Sequence, residues 1–331
     1  FTMVNQRTLG KTGFKVSEVS LGTWQLGGKW GAQFDEKNAD KILNTAIDNG
    51  INFIDTADVY NGGQSEKAIG KVLRSSSERI YVATKCGRQL KPHISASYQP
   101  QILRKFVEDS LRNMQLDQLD LVQLHCPPPE VYYRPEIFEL FDHLKEEGKI
   151  ANFGVSVEKV EEAIKAIEFD NVTTVQIIFN MFRHRPSELF FREAKKRDIG
   201  VIVRVPLASG LLTGKFGKES SFLPDDHRTF NRNGEMFDKG ETFSGVNYET
   251  GLLAVEELKT LFEGTGSLAQ LALKWVLMFD EVSTVIPGAS SPEQLDSNLK
   301  VSAIQALTQH QMNGVKNIYE KYIKKSTHQN W

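Results

Sequence analysis

Short apolar runs alternate with amphipathic stretches along almost the whole chain. Residues 8–16 (TLGKTGFKV) read as a hairpin turned by Gly10 and Thr12-Gly13. A strand is predicted over 16–21. Asp35 then stands where it can cap a helix with Ala39, Ile42, Leu43, Ala46 and Ile47 on one face, ended by Gly50. The run INFID (51–55) predicts a strand ending in Asp55, and Ser65 is expected to cap a helix carrying Ala68, Ile69, Val72 and Leu73. Further strands are predicted over 79–84, 119–124, 150–155, 172–176, 199–204 and 282–286. Helices are predicted over 101–114, 135–148, 158–167, 187–197, 248–262 and 268–278, from Pro292, and over 309–324 in the tail. A polar segment, 217–245, shows no period.

Strands that read as continuous apolar runs are buried on both faces, which implies a parallel sheet. Eight such strands alternating with helices predict a closed (β/α)8 TIM barrel with an N-terminal hairpin and a C-terminal tail helix, 1–331 forming a single domain. The rival is an open doubly wound sheet, which wants a glycine fingerprint after an early strand; no G-x-G-x-x-G and no Walker loop occurs.

A barrel makes its strand ends informative, because sites in this fold lie at the carboxyl face. The residues ending successive strands are Gly22, Asp55, Lys85, His125, Ser156, Gln176 and Arg204, with Gly288 just past the eighth. A buried carboxylate such as Asp55 needs a paired cation, and Lys85 ends the next strand. With Tyr60 in the first following loop and His125 after Lys85, four groups converge. Tyrosine is a poor acid near neutrality; a neighbouring ammonium lowers its pKa. Asp55 can hold that ammonium, and His125 can hydrogen-bond a substrate oxygen. The set can protonate a carbonyl oxygen but cannot attack a carbon. The missing reagent is a hydride, which a nicotinamide cofactor carries. Singly, each residue has an ordinary structural reading: a packed tyrosine, a structural ion pair, a satisfied histidine. Their joint placement at consecutive strand ends is what argues against it.

Composition narrows the partners. The chain has 331 residues, is 40% hydrophobic and 25% charged, and carries a net charge of −2. That excludes a basic nucleic-acid or membrane-surface footprint, and the apolar runs are too short to span a membrane. With no signal peptide and two cysteines, Cys86 and Cys126, a cytoplasmic protein is expected. No zinc spacing or HExxH occurs, so no metal is expected. The cysteines read as small buried hydrophobes, with a redox switch as the alternative.

The chain resembles the aldo-keto reductases from end to end. The resemblance rests on SLGTWQLGG (20–28), FIDTADVYNGGQSE (53–66), ATKCG (83–87), LDLVQLHCP (119–127), FGVS (153–156), VPLASGLLTGKF (205–216) and VIPGASSPEQLDSNL (285–299). Its cofactor motifs are similar to the potassium-channel β-subunit-like branch. The resemblance implies NADPH-dependent reduction of aldehydes or ketones, with NADH as an alternative cofactor. It puts the family's catalytic tetrad on Asp55, Tyr60, Lys85 and His125, Tyr60 being the general acid. The first-loop cofactor contacts fall on Gly22, Thr23 and Trp24, and Asp55 also faces the cofactor. Ser156 and Gln176 are implied to hold the carboxamide. Pro206, Leu207, Ser209, Gly210 and Leu211 are implied to wrap the pyrophosphate, with Lys215 and Arg228 adding charge. Gly288, Ser290, Gln294, Ser297 and Asn298 are implied at the adenosine end.

Three positions depart from the family pattern. Val157 stands where many relatives have Asn. Arg204 stands where an aromatic commonly stacks on the nicotinamide; its cation either disfavours the oxidised ring or simply pairs with a nearby carboxylate. The adenosine motif has Gln294 and no Arg or Lys. Substrate contacts are expected from 24–34, 126–135 and 217–245; Trp30, Phe34, Tyr132, Tyr133 and Phe182 suggest an apolar or aromatic-tolerant pocket, with loop packing as the equal alternative. The expected partner is a small carbonyl compound, and a monomer is expected. The rival reading is an NADPH-binding regulatory or sensor subunit; a third is a barrel isomerase or hydrolase that needs no nicotinamide.

Overall fold

In the computed structural model, which describes residues 4–28 and 32–331, the chain opens with a hairpin of β1 (Gln6–Thr8) and β2 (Lys15–Ser17). The sheet strands and helices then alternate. They run β3 (Leu21–Gly22), α1 (Glu36–Asp48), β4 (Phe53–Asp55), α2 (Gln64–Ser75), β5 (Tyr81–Cys86), α3 (Pro100–Met114), β6 (Leu119–His125) and α4 (Pro135–Glu146). Next come β7 (Ile150–Ser156), α5 (Val160–Ala166), β8 (Val172–Ile178), α6 (Leu189–Lys196) and β9 (Gly200–Arg204). Three helices precede the last strand: α7 (His227–Phe230), α8 (Tyr248–Leu261) and α9 (Leu268–Leu277). The chain ends with β10 (Val282–Val285), α10 (Pro292–Leu299), α11 (Gln309–Tyr322) and α12 (Lys324–Thr327).

Strands β3 to β10 form one parallel sheet in sequential order. Bridges at Val19–Val285 and Gly22–Gly288 join its two ends, and the Ser20 and Gly22 amides donate to the Val285 and Pro287 carbonyls at 2.9 and 3.1 Å. The sheet therefore curls into the expected (β/α)8 barrel. Gly22 is required at this seam, since a Cβ there would lie 2.6 Å from the Ile286 carbonyl oxygen.

Along each strand, alternate side chains point inward. At the amino end this gives an apolar plug: Phe53, Ala83, Leu121 and Ile202 pack with Leu9 and Val16 of the hairpin. Two residues further along the same strands the inward positions are Asp55, Lys85, Gln123 and Arg204, followed on β6 by His125. The interior thus changes from apolar to charged across one repeat of the pleat. Outside, the helices bury their predicted stripes, for example Ala39, Ile42, Leu43 and Ala46 of α1, whose N-terminus is capped by Asp35 accepting from the Asn38 amide.

Three local expectations are corrected. Residues 16–21 do not form one strand: the hairpin strand stops at Ser17 and the barrel strand begins at Leu21. Ser65 does not cap α2, where Gly63 takes that place. The Ser65 hydroxyl is buried against those of Thr56 and Thr23, at 3.0 and 3.1 Å. The tail helix breaks at Ile323. Beyond it Trp331 settles on the long segment 217–245, its indole N–H donating to Asp238 at 2.8 Å and its ring lying 4.6 Å from the Arg183 guanidinium. Gly240 and Gly245 leave the space that the indole fills. Among the described residues, no helix is long and apolar enough to cross a membrane.

Candidate active site at the carboxyl mouth of the barrel

Asp55, Lys85 and His125 lie at the carboxyl ends of β4, β5 and β6, each two positions beyond the register partner of the one before, Asp55 pairing with Ala83 and Lys85 with Gln123. The Lys85 ammonium forms a short ion pair with Asp55 and also donates to the Thr56 carbonyl at 2.9 Å. It reaches the Tyr60 hydroxyl at 3.5 Å. The second Asp55 oxygen accepts from Gln176 at 2.7 Å and from Gln123 at 3.3 Å. Tyr60 and His125 meet edge to face, with ring centroids 6.1 Å apart. The structure therefore brings all four sequence-predicted side chains together. It adds Gln123, which the strand-end reading missed. Its signal was in the sequence: in LDLVQLH the period of two puts Gln123 on the same side as His125.

The electrostatics of these groups follow from burial. Asp55 and Lys85 are 2% and 1% exposed, so the pair is almost fully desolvated. Burial pulls the Lys85 pKa down, but Asp55 and then Tyr60 more than offset this and hold it above its ordinary value. Tyr60 does not behave as expected. Lys85 lowers its pKa, yet burial outweighs the ammonium and the net shift is upward. His125 is pushed far below the usual histidine range, first by burial and then by Arg88 and Lys85, and stands neutral. Its Nδ1 is buried with no partner.

Sequence reasoning also missed a charged cluster beside these residues. The Arg88 guanidinium pairs with Glu158 at 2.9 Å and with Glu241 at 2.5 Å. Arg204 pairs with the same two carboxylates, at 3.2 and 3.7 Å, and donates to the Val157 carbonyl at 3.0 Å. Carboxylate oxygens of Glu158 and Glu241 lie within 4.8 Å of each other. Burial raises Glu158 well above the ordinary range, while Arg88, against the opposing effect of burial, keeps Glu241 well below it. Of the two readings of Arg204, ion pairing is the one observed, so its charge is not an uncompensated cation.

The expected cofactor residues fall mainly in the segments that follow β9 and β10. After β9 the backbone turns through Val205, Ala208, Ser209 and Gly210, all at positive φ, leaving a curved loop at 205–210. A Cβ on Gly210 would lie 2.8 Å from Phe216 and 3.6 Å from the Arg228 guanidinium. Arg228 is bound to Asp226, and Lys215 is exposed. At the far end, Ser291 caps α10, and Gln294 accepts from both the amide and the hydroxyl of Ser290 at 2.9 Å. Asn298 reaches the Gly288 carbonyl at 3.5 Å, and the Ser297 carbonyl accepts from Gln270 at 2.9 Å.

Three other expected contacts have their polar groups committed or turned inward. Thr23 donates to the Asp55 carbonyl at 2.8 Å. The Gln176 amide nitrogen donates to Asp55 and to the Gln123 carbonyl, and Gln176 pairs across the strands with Ser156. Leu211 points into the core beside Gly251, so only its backbone faces the loop. Trp24 stands edge-on to His227 of the long segment, at 4.8 Å. Backbone N–H groups at a glycine turn, two nearby cations and a helix start suit a dinucleotide's phosphates, so the residues present fit a nicotinamide dinucleotide.

The aromatic pocket is largely not where it was expected. Tyr132 and Phe182 are core residues, 1% and 0% exposed. Tyr133 lies on the outer surface under Lys165. Phe34 packs over Gly27, and Trp30 lies outside the described residues. Cys86 and Cys126 are free and buried. Burial pushes Cys126 up to about 12 and Cys86 well above its usual value, so neither is the thiolate a redox switch requires. Cys126, Glu158 and Glu241 lie close enough to share a cation, but two guanidinium groups already occupy the carboxylates.

Comparison with known proteins agrees with this geometry. The pattern defining the Aldo/keto reductase family matches residues 18–320. Aldo-keto reductase YhdN of Bacillus subtilis (strain 168) is 31% identical over 88% of this chain and 86% of its own length. A probable voltage-gated potassium channel subunit beta of Arabidopsis thaliana is 31% identical over 91% of this chain and 92% of its own. The glycerol dehydrogenase AKR11B4 from Gluconobacter oxydans superposes with a TM-score of 0.77 at 30% identity, covering 96% of each chain. With a matching pattern that spans most of the sequence, a barrel of the same architecture and a charged mouth built from the ends of its strands, this chain belongs to the aldo/keto reductase family.

Proposed function

We propose that this protein reduces aldehydes or ketones to alcohols with NADPH, and that Tyr60 donates the proton. The observation that carries this reading is the Lys85 ammonium, locked to Asp55 and 3.5 Å from the Tyr60 hydroxyl. A bound nicotinamide dinucleotide supplies the hydride. The residues do the rest. Neutral His125 can donate one N–H to the carbonyl oxygen and so orient it beside Tyr60. As negative charge develops on that oxygen, Tyr60 releases its proton to it. Lys85 stabilises the phenolate left behind. Asp55, held by Gln123 and Gln176, keeps the ammonium in place.

Ser156 and the carbonyl end of Gln176 are the proposed carboxamide contacts. Gly22, Thr23 and Trp24 would flank the nicotinamide, and Arg204 would lie against it. The turn Pro206, Leu207, Ser209, Gly210 and Leu211, with Lys215 and Arg228, would take the pyrophosphate. Gly288, Ser290, Gln294, Ser297 and Asn298 would take the adenosine. Arg228 must leave Asp226 or carry it along to reach a phosphate. NADPH oxidation with a panel of aldehydes tests the reading. Turnover supports it. Tight NADPH binding with no turnover across the panel would instead favour a sensor subunit, the rival suggested by the plant channel-subunit relative.

A further inference from the structure

We propose that Arg88 is the anion-recognising residue of the substrate cleft, and that the preferred substrates are oxo acids: short aldehydes or ketones with a carboxylate a few bonds from the carbonyl. The proposal rests on the reductase reading above and names the substrate class of that same site.

Arg88 leaves the barrel on a fixed turn. It stands two residues past the end of β5 and three past Lys85. Gly87 between them has φ +117°, and a Cβ there would strike the Tyr98 hydroxyl at 2.8 Å. From this turn the guanidinium acts on both Tyr60 and His125, and on His125 it outranks Lys85. Its partner Glu158 is shared with Arg204, whose guanidinium lies 3.5 Å from the sulfur of Cys126, the residue after His125, so Arg88 belongs to a cluster packed against the strand end that carries the imidazole.

Its hydrogen bonding is incomplete in a useful way. Both ion pairs, to Glu158 and to Glu241, run through the same nitrogen, Nη2. Among the described residues Nε and Nη1 take no partner, and neither is among the buried, unpartnered polar atoms. The Arg88 side chain is 24% exposed, against 11%, 14% and 13% for Glu158, Glu241 and Arg204. One side of the guanidinium is thus anchored by the cluster while the other meets solvent. Arginine presents a planar fork that fits a carboxylate through two parallel hydrogen bonds.

The charge balance favours an anion as well. Burial pushes the Glu158 carboxyl well above the ordinary range, toward its neutral form, while Glu241 stays well below it. Two guanidinium groups face them. The Lys85–Asp55 pair is neutral overall, and His125 is neutral. With Glu158 toward its neutral form, the two guanidinium groups outweigh the carboxylates they face, and such a field attracts anions. In the resulting reaction the carbonyl carbon gains a hydride from the reduced nicotinamide, its oxygen gains the Tyr60 proton, and the product is a hydroxy acid.

The competing account is that Arg88 merely staples segment 217–245, through Glu241, to the strand ends. Two measurements separate the accounts. The first compares kcat/KM for 4-oxobutanoate and for uncharged pentanal with NADPH, in wild type, R88K and R88Q, at low and high salt. Wild type is expected to prefer the acid by roughly tenfold or more, and salt should erode that preference. In R88Q the ratio should fall to near one, mainly through KM for the acid, with R88K between. No preference in wild type, or equal losses on both substrates in R88Q, would overturn the proposal. The second titrates the NADPH-loaded protein with succinate and with succinamide by cofactor fluorescence. Succinate should bind about tenfold or more tightly than succinamide in wild type and lose that advantage in R88Q. Equal binding of the two in wild type overturns the proposal without any variant. If wild type turns over neither aldehyde, the reductase reading fails, and the succinate titration still decides the role of Arg88.

Discussion

Replacing Asp55 by Asn removes one charge from a pair that is almost fully buried, while keeping the shape and the two amide contacts from Gln123 and Gln176. Lys85, 1% exposed, then has only the Thr56 carbonyl and the Tyr60 hydroxyl. Breaking a buried pair in this way costs about 3–5 kcal/mol. The cost has a ceiling, because Lys85 can discharge instead. Giving up its proton at pH 7 costs about 1.36 kcal/mol for each of the roughly 3.4 pH units below its ordinary value, or about 4.6 kcal/mol. The two figures agree.

The sign of the pH dependence then separates this account from simple packing loss. In the wild type Lys85 is held above its ordinary pKa, so its stabilising contribution is complete at neutrality and is lost only in strong alkali, as pH rises through its folded-state value. In Asp55→Asn, burial acts without the opposing carboxylate and the pKa falls. The unfolded chain then binds more protons, and stability rises with pH. Urea unfolding at pH 6, 7, 8 and 9 should show a deficit of about 3–5 kcal/mol at pH 7 that shrinks toward pH 9. The double variant Asp55→Asn with Lys85→Met, which removes the stranded charge, should recover at least half of it. A deficit below about 1 kcal/mol, a deficit independent of pH, or a double variant as unstable as the single would refute the reasoning.

Two further outcomes follow from buried groups outside the four. Asp58 is 5% exposed, with Oδ1 unpartnered and Oδ2 accepting from Gln89 at 2.6 Å; burial raises it to about 7. A raised carboxyl contributes stability at low pH that is lost as pH climbs from its unfolded to its folded value, so Asp58→Asn should leave stability unchanged at pH 4 and raise it at pH 8, by at most about 4 kcal/mol; denaturation at both pH values checks this, and a loss at pH 8 contradicts it. Trp331→Ala opens the space over Gly240 and Gly245 and should cost about 3 kcal/mol, while exposing 217–245 to limited proteolysis; unchanged cleavage rates would show that the indole does not hold that segment.

The sequence announced the barrel because its strands are short, apolar and separated by amphipathic helices whose stripes survive folding. It announced Asp55, Lys85 and His125 because neighbouring parallel strands bring their carboxyl ends to one rim. What it concealed has a common cause. Arg88 and Glu241 are 153 positions apart, and Glu241 lies in a segment with no period, so no local pattern ties it to the mouth. Arg204 could be read equally as a cation facing the nicotinamide or as a paired one, because its two carboxylates come from elsewhere in the chain. Tyr132 and Phe182 looked like pocket residues because an aromatic in a loop reads the same whether it faces a cleft or the core. The rise in the Tyr60 pKa is likewise a balance of burial against Lys85, and spacing does not reveal which is larger.

The most direct measurement is NADPH oxidation by Tyr60→Phe beside the wild type on one accepted aldehyde, with NADPH affinity measured on both. The account predicts that binding is retained within a few-fold while turnover falls by about 10²–10⁴, the contribution of a positioned general acid. Turnover within tenfold of wild type would contradict it, because the Lys85-supported hydroxyl would then not be the source of the proton.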